Sequence, residues 1–174
     1  MLFSFIVSQN NNIPRIKGII EKLCSNLGEK KTFKDIEYYA FPSIEKMASK
    51  DEQFYASIGL GYRAKYIKNL AEEIKNGLDV YAFDKLDTVS LKKKLLTILG
   101  VGPKVADCVS LFGFHRSDSF PVDTWIEKVY KDDFKGTIKD REKIARYFVE
   151  RFKENSGYYQ QYLFYYKRLI EKKC

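Results

Sequence analysis

Lys104 and Asp123, nineteen positions apart, have the types that covalent chemistry could use. Lys104 stands one residue past Pro103, in the first turn of an expected helix. A helix N-terminus carries partial positive charge, so it disfavours an ammonium and favours the neutral amine, the nucleophilic form. Asp123 lies in Phe120-Pro121-Val122-Asp123-Thr124, where Pro121 fixes the chain entering the next helix and the aspartate falls at or near its N-cap. A carboxylate oriented by backbone amides can stabilise positive charge at a sugar C1′ as its substituent departs. The residues alone also fit plainer roles. A lysine can contact phosphate without doing chemistry, and an aspartate that only caps its helix is the commoner case.

The element that positions Lys104 is the turn Gly100-Val101-Gly102-Pro103 between two helical segments. The first carries Leu91, Leu95, Leu96 and Leu99, with Ser90 as its expected cap, and the second runs over Lys104 to Phe112. Two glycines around one apolar residue allow a sharp reversal, with Val101 plugging the core. The amides opening the second helix then point outward, where helix dipole and hydrogen bonds both favour a phosphate. Such a helix-hairpin-helix grips one DNA strand without reading bases; an ordinary helical hairpin shares the same spacing.

The remaining sequence reads as α. Leu2, Phe3, Ile6 and Val7 have helical spacing, stopped by the polar run Ser8 to Asn12. Pro14 suits the first turn of a helix whose stripe is Ile16, Ile19, Ile20, Leu23 and Leu27, closed by Gly28. Thr32 and Ser43 are expected to cap short helices. Gly59-Leu60-Gly61 turns into a helix with Tyr66, Ile67, Leu70 and Ile74, ended by Asn76-Gly77. Further helices are expected over Thr124 to Tyr130, over Ile138 to Phe152, and from Gly157 through a tyrosine-crowded end. No long alternating run bounded by turn residues calls for a strand.

Composition narrows the classes. The 174 residues, 45% hydrophobic and 31% charged, suit one domain or two small lobes. Lys and Arg number 31 against 23 acids, and a net charge of +8 favours a polyanionic partner. Cys24, Cys108 and Cys174 are odd in number and widely spaced, which argues for a reducing compartment and against a disulfide framework or a four-cysteine metal site. His115 is the only histidine and reads as a loop residue, so no multi-histidine metal centre is expected. The apolar start, Met1 to Val7, is far shorter than the ~20 residues of a membrane span and lacks signal-peptide features. It also begins without a cap, the expectation being that the first helix is cut or that a preceding domain is missing.

The run from Gly100 through Lys104 and Asp107 to Cys108, followed by Pro121-Val122-Asp123, resembles the helix-hairpin-helix superfamily of DNA glycosylases. Its lysine makes it similar to the 8-oxoguanine DNA glycosylase family. In the same order, Ser8-Gln9-Asn10-Asn11-Asn12-Ile13-Pro14-Arg15-Ile16 resembles that family's asparagine-rich loop, Leu60-Gly61-Tyr62-Arg63-Ala64-Lys65-Tyr66 its wedge, and Gly157 to Phe164 its base-pocket helix. The resemblance covers nearly the whole chain. It implies an all-α helix-hairpin-helix DNA glycosylase fold, two helical lobes around a DNA-binding cleft. The hairpin would lie at about 90–112 and the base-pocket helix at about 157–172 of a 1–174 core. The family's usual N-terminal sheet domain has no room here.

The same resemblance implies the roles. Lys104 would attack C1′ and form a Schiff base that permits β-elimination, and Asp123 would stabilise the developing charge. Gln160, Phe164, Cys108 and Pro121 would form the pocket for the extruded base. Asn10 would fill the vacated stack, Tyr62 would wedge, and Arg15 and Arg63 would face the opposite base. Gly100, Val101 and Gly102 would hold phosphate. The partner would be double-stranded DNA containing 8-oxoguanine, met by a monomer in the cytoplasm or nucleoid, with no cofactor and no metal. Trp125 departs from the pattern, standing where animal relatives tend to have histidine. Two other readings stay open: a non-catalytic DNA-binding module, and a glycosylase for a different damaged base.

Overall fold

Several helix starts in this chain are set by side chains that accept from otherwise orphaned amides, and helix faces by apolar spacing. The computed structural model describes residues 1–171; Cys174 and position 172 of the expected last helix lie outside the described residues. The chain divides into two compact units, one built from Met1–Phe83 with Thr97–Val101, the other from Asp84–Leu96 with the chain from Gly102 onward.

The first unit contains α1 (Leu2–Ser8), α2 (Ile13–Leu27), β1 (Lys30–Phe33), β2 (Ile36–Tyr39), α3 (Ile44–Ala48), α4 (Glu52–Ser57) and α5 (Arg63–Lys75). The cap of α2 is Asn12, whose side chain accepts from the Arg15 amide at 2.9 Å, and Pro14 sits in its first turn. Ile19, Leu23 and Leu27 bury its inner face, and Ile6 and Val7 that of α1. Ser43 caps α3 as expected, while α4, capped by Asp51, was not foreseen.

Thr32 does not cap a helix. It lies in β1, opposite Glu37 in an antiparallel hairpin. Lys34 and Asp35 connect the strands with φ of 47° and 62°, the left-handed pair that a two-residue hairpin turn of matching twist demands. All eight strand residues are exposed. A hairpin that buries neither face has no reason to alternate, which is why periodicity missed it. Gly28 is required where this hairpin meets α2, since a Cβ there would fall 2.0 Å from the Ala40 carbonyl oxygen.

The second unit contains α6 (Thr88–Leu95), α7 (Pro103–Gly113), α8 (Thr124–Asp132), α9 (Arg141–Phe152) and α10 (Ser156–Glu171). The cap of α6 is Asp87 rather than Ser90: its carboxylate accepts from the amides of Val89 and Ser90, and the Ser90 hydroxyl donates to it at 2.7 Å. Leu96 and Leu99 are exposed, so the buried stripe of this helix ends at Leu95. Asp140 caps α9 and starts it three residues after Ile138. Among the described residues no helix is long and apolar enough to cross a membrane.

The core of this unit is aromatic. Phe120 stacks on Phe148 with ring centroids 4.5 Å apart, Phe134 meets Phe148 edge-on at 5.1 Å, and Ile126, Val129 and Ile144 close the cluster. Phe148 is 0% exposed. Phe148→Ala is therefore expected to destabilise the protein by about 3–5 kcal/mol, through lost apolar burial and a cavity. Urea denaturation checks this; a shift of less than about 1 kcal/mol would show that the cluster closes over the gap.

Candidate active site

Asp123 is the best-fixed polar group of the second unit's candidate site. Its carboxylate accepts from the amides of Trp125 and Ile126, both at 3.0 Å, as the N-cap of α8. Phe120, Pro121 and Val122 ahead of it are buried, so the approach to the cap is anchored in the core. Gln160 on α10 adds a tie: 4% exposed, it donates through Nε2 to the Pro121 carbonyl at 3.0 Å and accepts from Gln161 through Oε1 at 2.6 Å.

Lys104 occupies the second position of α7, half-buried, where the cap residue Gly102 offers no side chain to the first amides. One turn on, Cys108 is buried, and burial pushes its thiol up to about 11. The Lys104 ammonium opposes that rise by charge and by a hydrogen bond to the thiol, while the carboxylates of Asp107 and Asp123 reinforce it. The Cys108 thiol thus feels the charges of both Lys104 and Asp123. Phe164 is half-buried against the aromatic core, with the Arg168 guanidinium 5.3 Å over its ring. Trp125 carries the Lys128 ammonium 5.0 Å over its own.

A contact that sequence reading missed braces the two helices flanking the hairpin. Lys92 of α6 pairs with Asp107 of α7 at 2.6 Å. Burial raises the Asp107 carboxyl, and Lys92 opposes the rise by charge and hydrogen bond. Lys92 and Asp107 lie fifteen residues apart on different helices, so no local pattern announces the pair.

In the first unit, Asn10 is exposed and left-handed at φ 44°, consistent with asparagine's tolerance of that region. Tyr62 is 54% exposed just ahead of α5, its ring edge-on to Tyr66 at 5.9 Å. Arg15 is exposed, with one guanidinium nitrogen donating to the Gly59 carbonyl at 3.2 Å. Arg63 is 3% exposed, and its guanidinium donates to the backbone carbonyls of Gln9, Asn10 and Leu60, which supports the asparagine-rich loop.

The hairpin turn is shaped by Gly100, at φ 85°, where a Cβ would lie 2.4 Å from the Tyr66 ring. Val101 is buried, as expected of a plug, but its amide donates to the Ile98 carbonyl at 3.0 Å. An anion at the turn would therefore meet the amides from Gly102 onward.

Compared with known proteins, residues 3–154 match the family of HhH-GPD superfamily base excision DNA repair proteins. The chain belongs to the HhH-GPD superfamily. Similar relatives include the N-glycosylase/DNA lyase of Saccharomyces cerevisiae, 39% identical over 76% of this chain and 39% of that protein. That of Arabidopsis thaliana is 32% identical over 94% of this chain and 48% of its own. Among solved structures, the 8-oxoguanine glycosylase/lyase of Clostridium acetobutylicum, bound to double-stranded DNA with cytosine opposite 8-oxoG, superposes with a TM-score of 0.93. It is 38% identical, over 98% of this chain and 59% of that one. The chain thus spans between about two fifths and three fifths of these relatives' length.

Within this HhH-GPD chain, the buried thiol gives a pH-dependent prediction. A thiol raised to about 11 stays protonated through neutral and mildly alkaline pH, and its thiolate fraction grows only as that value is approached. Native protein exposed to iodoacetamide at pH 8 should leave Cys108 unmodified by mass spectrometry, and unfolded protein should alkylate it fully. Rapid native labelling at pH 8 would contradict the geometry.

Proposed function

We propose that this HhH-GPD chain is the helical catalytic core, residues 1–174, of a DNA glycosylase with associated AP lyase activity that removes 8-oxoguanine from duplex DNA. The observation that carries the reading is the HhH-GPD match over residues 3–154 together with the amide-held Asp123 carboxylate at the start of α8. A DNA-binding module needs the basic hairpin but leaves Lys104 and the capped Asp123 without a task.

The chemistry follows from those two groups. The neutral Lys104 amine forms a bond to C1′ as the glycosidic bond breaks, its electron pair leaving with the base, which then takes a proton. Asp123, held in place by two amides, stabilises the positive charge that develops on the sugar. Ring opening gives an imine between Nζ and C1′. Loss of a C2′ proton then expels the 3′ phosphate, which is the lyase step. Gln160 and Phe164 offer a hydrogen-bonding edge and a stacking face to the extruded base, with Cys108 and Pro121 as neighbouring wall. Asn10 fills the vacancy, Tyr62 wedges the stack, and Arg15 reaches toward the opposite base. Extrusion costs a few kcal/mol, which these insertions offset in part. The protein would act as a monomer in the cytoplasm or nucleoid, a setting consistent with the free thiols of Cys24 and Cys108.

Borohydride trapping on a duplex with 8-oxoguanine opposite cytosine tests the reading. Wild type should yield a covalent adduct and Lys104→Gln none, while Asp123→Asn should slow trapping by about 100-fold or more. DNA affinity without an adduct on any damaged duplex would falsify the enzyme reading in favour of a binding module. Preference for another lesion would reassign the substrate. Affinity should also fall steeply between about 50 and 200 mM salt, because phosphate contacts release counterions; a flat response would exclude DNA as the partner.

A further inference from the structure

Gln9 has a part in neither the proposed chemistry nor the expected DNA contacts, yet its bonds tie together the elements that carry the latter. Its side-chain amide donates to the Gly100 carbonyl at 2.7 Å, across ninety-one residues of sequence, and to the Ile6 carbonyl at 3.3 Å. Its own backbone carbonyl accepts from Arg63 Nε at 2.8 Å and from the same residue's Nη2. The Nη2 atom also donates to the Asn10 carbonyl at 2.9 Å. On the far side of Gly100 lies the Tyr66 ring, which meets Tyr62 edge-on. Asn10, Tyr62 and the hairpin turn therefore converge on one small lattice made by Gln9, Arg63 and Tyr66, wholly inside the first unit.

The lattice is not what holds α1 in place. Ile6 and Val7, 0% and 1% exposed, already anchor that helix in the core. Gln9 is only half-buried, and its side-chain amide bridges the Ile6 carbonyl of α1 and the turn, with the shorter bond to the turn. A donor in that position fixes where the Gly100 carbonyl sits relative to Asn10.

We propose that Gln9 is a positioning residue that locks the Gly100 carbonyl of the hairpin turn to the asparagine-rich loop, so that the Gly100–Val101 side of the turn and the vacancy plug reach DNA as one piece. The proposal rests on the DNA reading above. It predicts that losing the side-chain donor weakens engagement of damaged duplex with little effect on the covalent step once DNA is bound.

The test compares wild type, Gln9→Met, which keeps length and apolar volume but removes the donor, and Gln9→Ala. Single-turnover trapping on an 8-oxoguanine:cytosine duplex is followed against protein concentration, together with salt-dependent binding of an undamaged duplex and thermal unfolding. In both variants the half-saturating concentration should rise about tenfold, the upper end for one lost hydrogen bond. The saturating rate should stay within about twofold and the melting temperature should barely move. The log–log salt slope should fall by up to about 0.9, one phosphate contact. Combining Gln9→Met with Asn10→Ala should weaken binding by much less than the product of the single effects, because the plug no longer gains from a clamp that is gone.

Wild-type affinity and salt slope in Gln9→Met, or multiplicative effects in the double variant, would overturn the clamp. A melting-temperature loss with unchanged DNA binding would overturn it too, leaving Gln9 a plain stabiliser. Failure of wild type itself to trap any lesion duplex would refute the glycosylase reading instead. The salt slopes on undamaged duplex would still report on the clamp.

Discussion

Catalysis by a lysine at a sugar carbon needs an anion that stays in one place while charge builds up. The two amide hydrogen bonds to the Asp123 carboxylate meet that need. Hydrogen bonds to a charged acceptor contribute about 1.5–3 kcal/mol each. Together they outweigh the rotamer freedom lost by one short side chain, at most about 2 kcal/mol. The cap can hold this place because the chain before it is sunk in the aromatic core and bonded by Gln160 through Pro121. Much of the second unit can be understood as the support of that carboxylate: the stacked phenylalanines under the loop, α8 supplying the amides, and α10 closing the back.

What could be read from sequence was what local chemistry decides. Asp123 as a cap, Pro14 in a first turn, and Gly100 at a sharp reversal each follow from one residue and its immediate neighbours. The hairpin at 30–39 was illegible because it buries neither face, leaving only a left-handed Lys34-Asp35 pair that composition does not advertise. Ser90 was misjudged because two capping side chains lie within one turn, and the aspartate with two amide bonds takes the role. Arg63 shows a further limit. Its type promises a forked donor, but only folding shows that the acceptors are carbonyls of a loop more than fifty residues upstream. The Gly100 partner of Gln9 was beyond any local rule for the same reason.

The contact pattern also sorts the candidate residues by task. Lys104, Asp123, Cys108, Pro121, Gln160 and Phe164 all fall in the second unit, whereas Asn10, Arg15, Tyr62 and Gly100 fall in the first. Groups proposed to handle the sugar and base share one unit, and groups proposed to distort the duplex share the other. Within each set, positions are fixed by short-range packing and hydrogen bonds, the condition for holding reactive geometry to a fraction of an ångström.

The path of the chain between these units has an evolutionary corollary. It leaves the first after Phe83, returns for only five residues at Thr97–Val101, and leaves again at Gly102. A gene cut once, at any codon, cannot liberate either half with its full complement of segments. Recombination could not shuffle one half onto a new counterpart as it does with beads-on-a-string modules. The two must be inherited jointly, and innovation in this lineage would come through point changes and terminal additions rather than through exchange of halves.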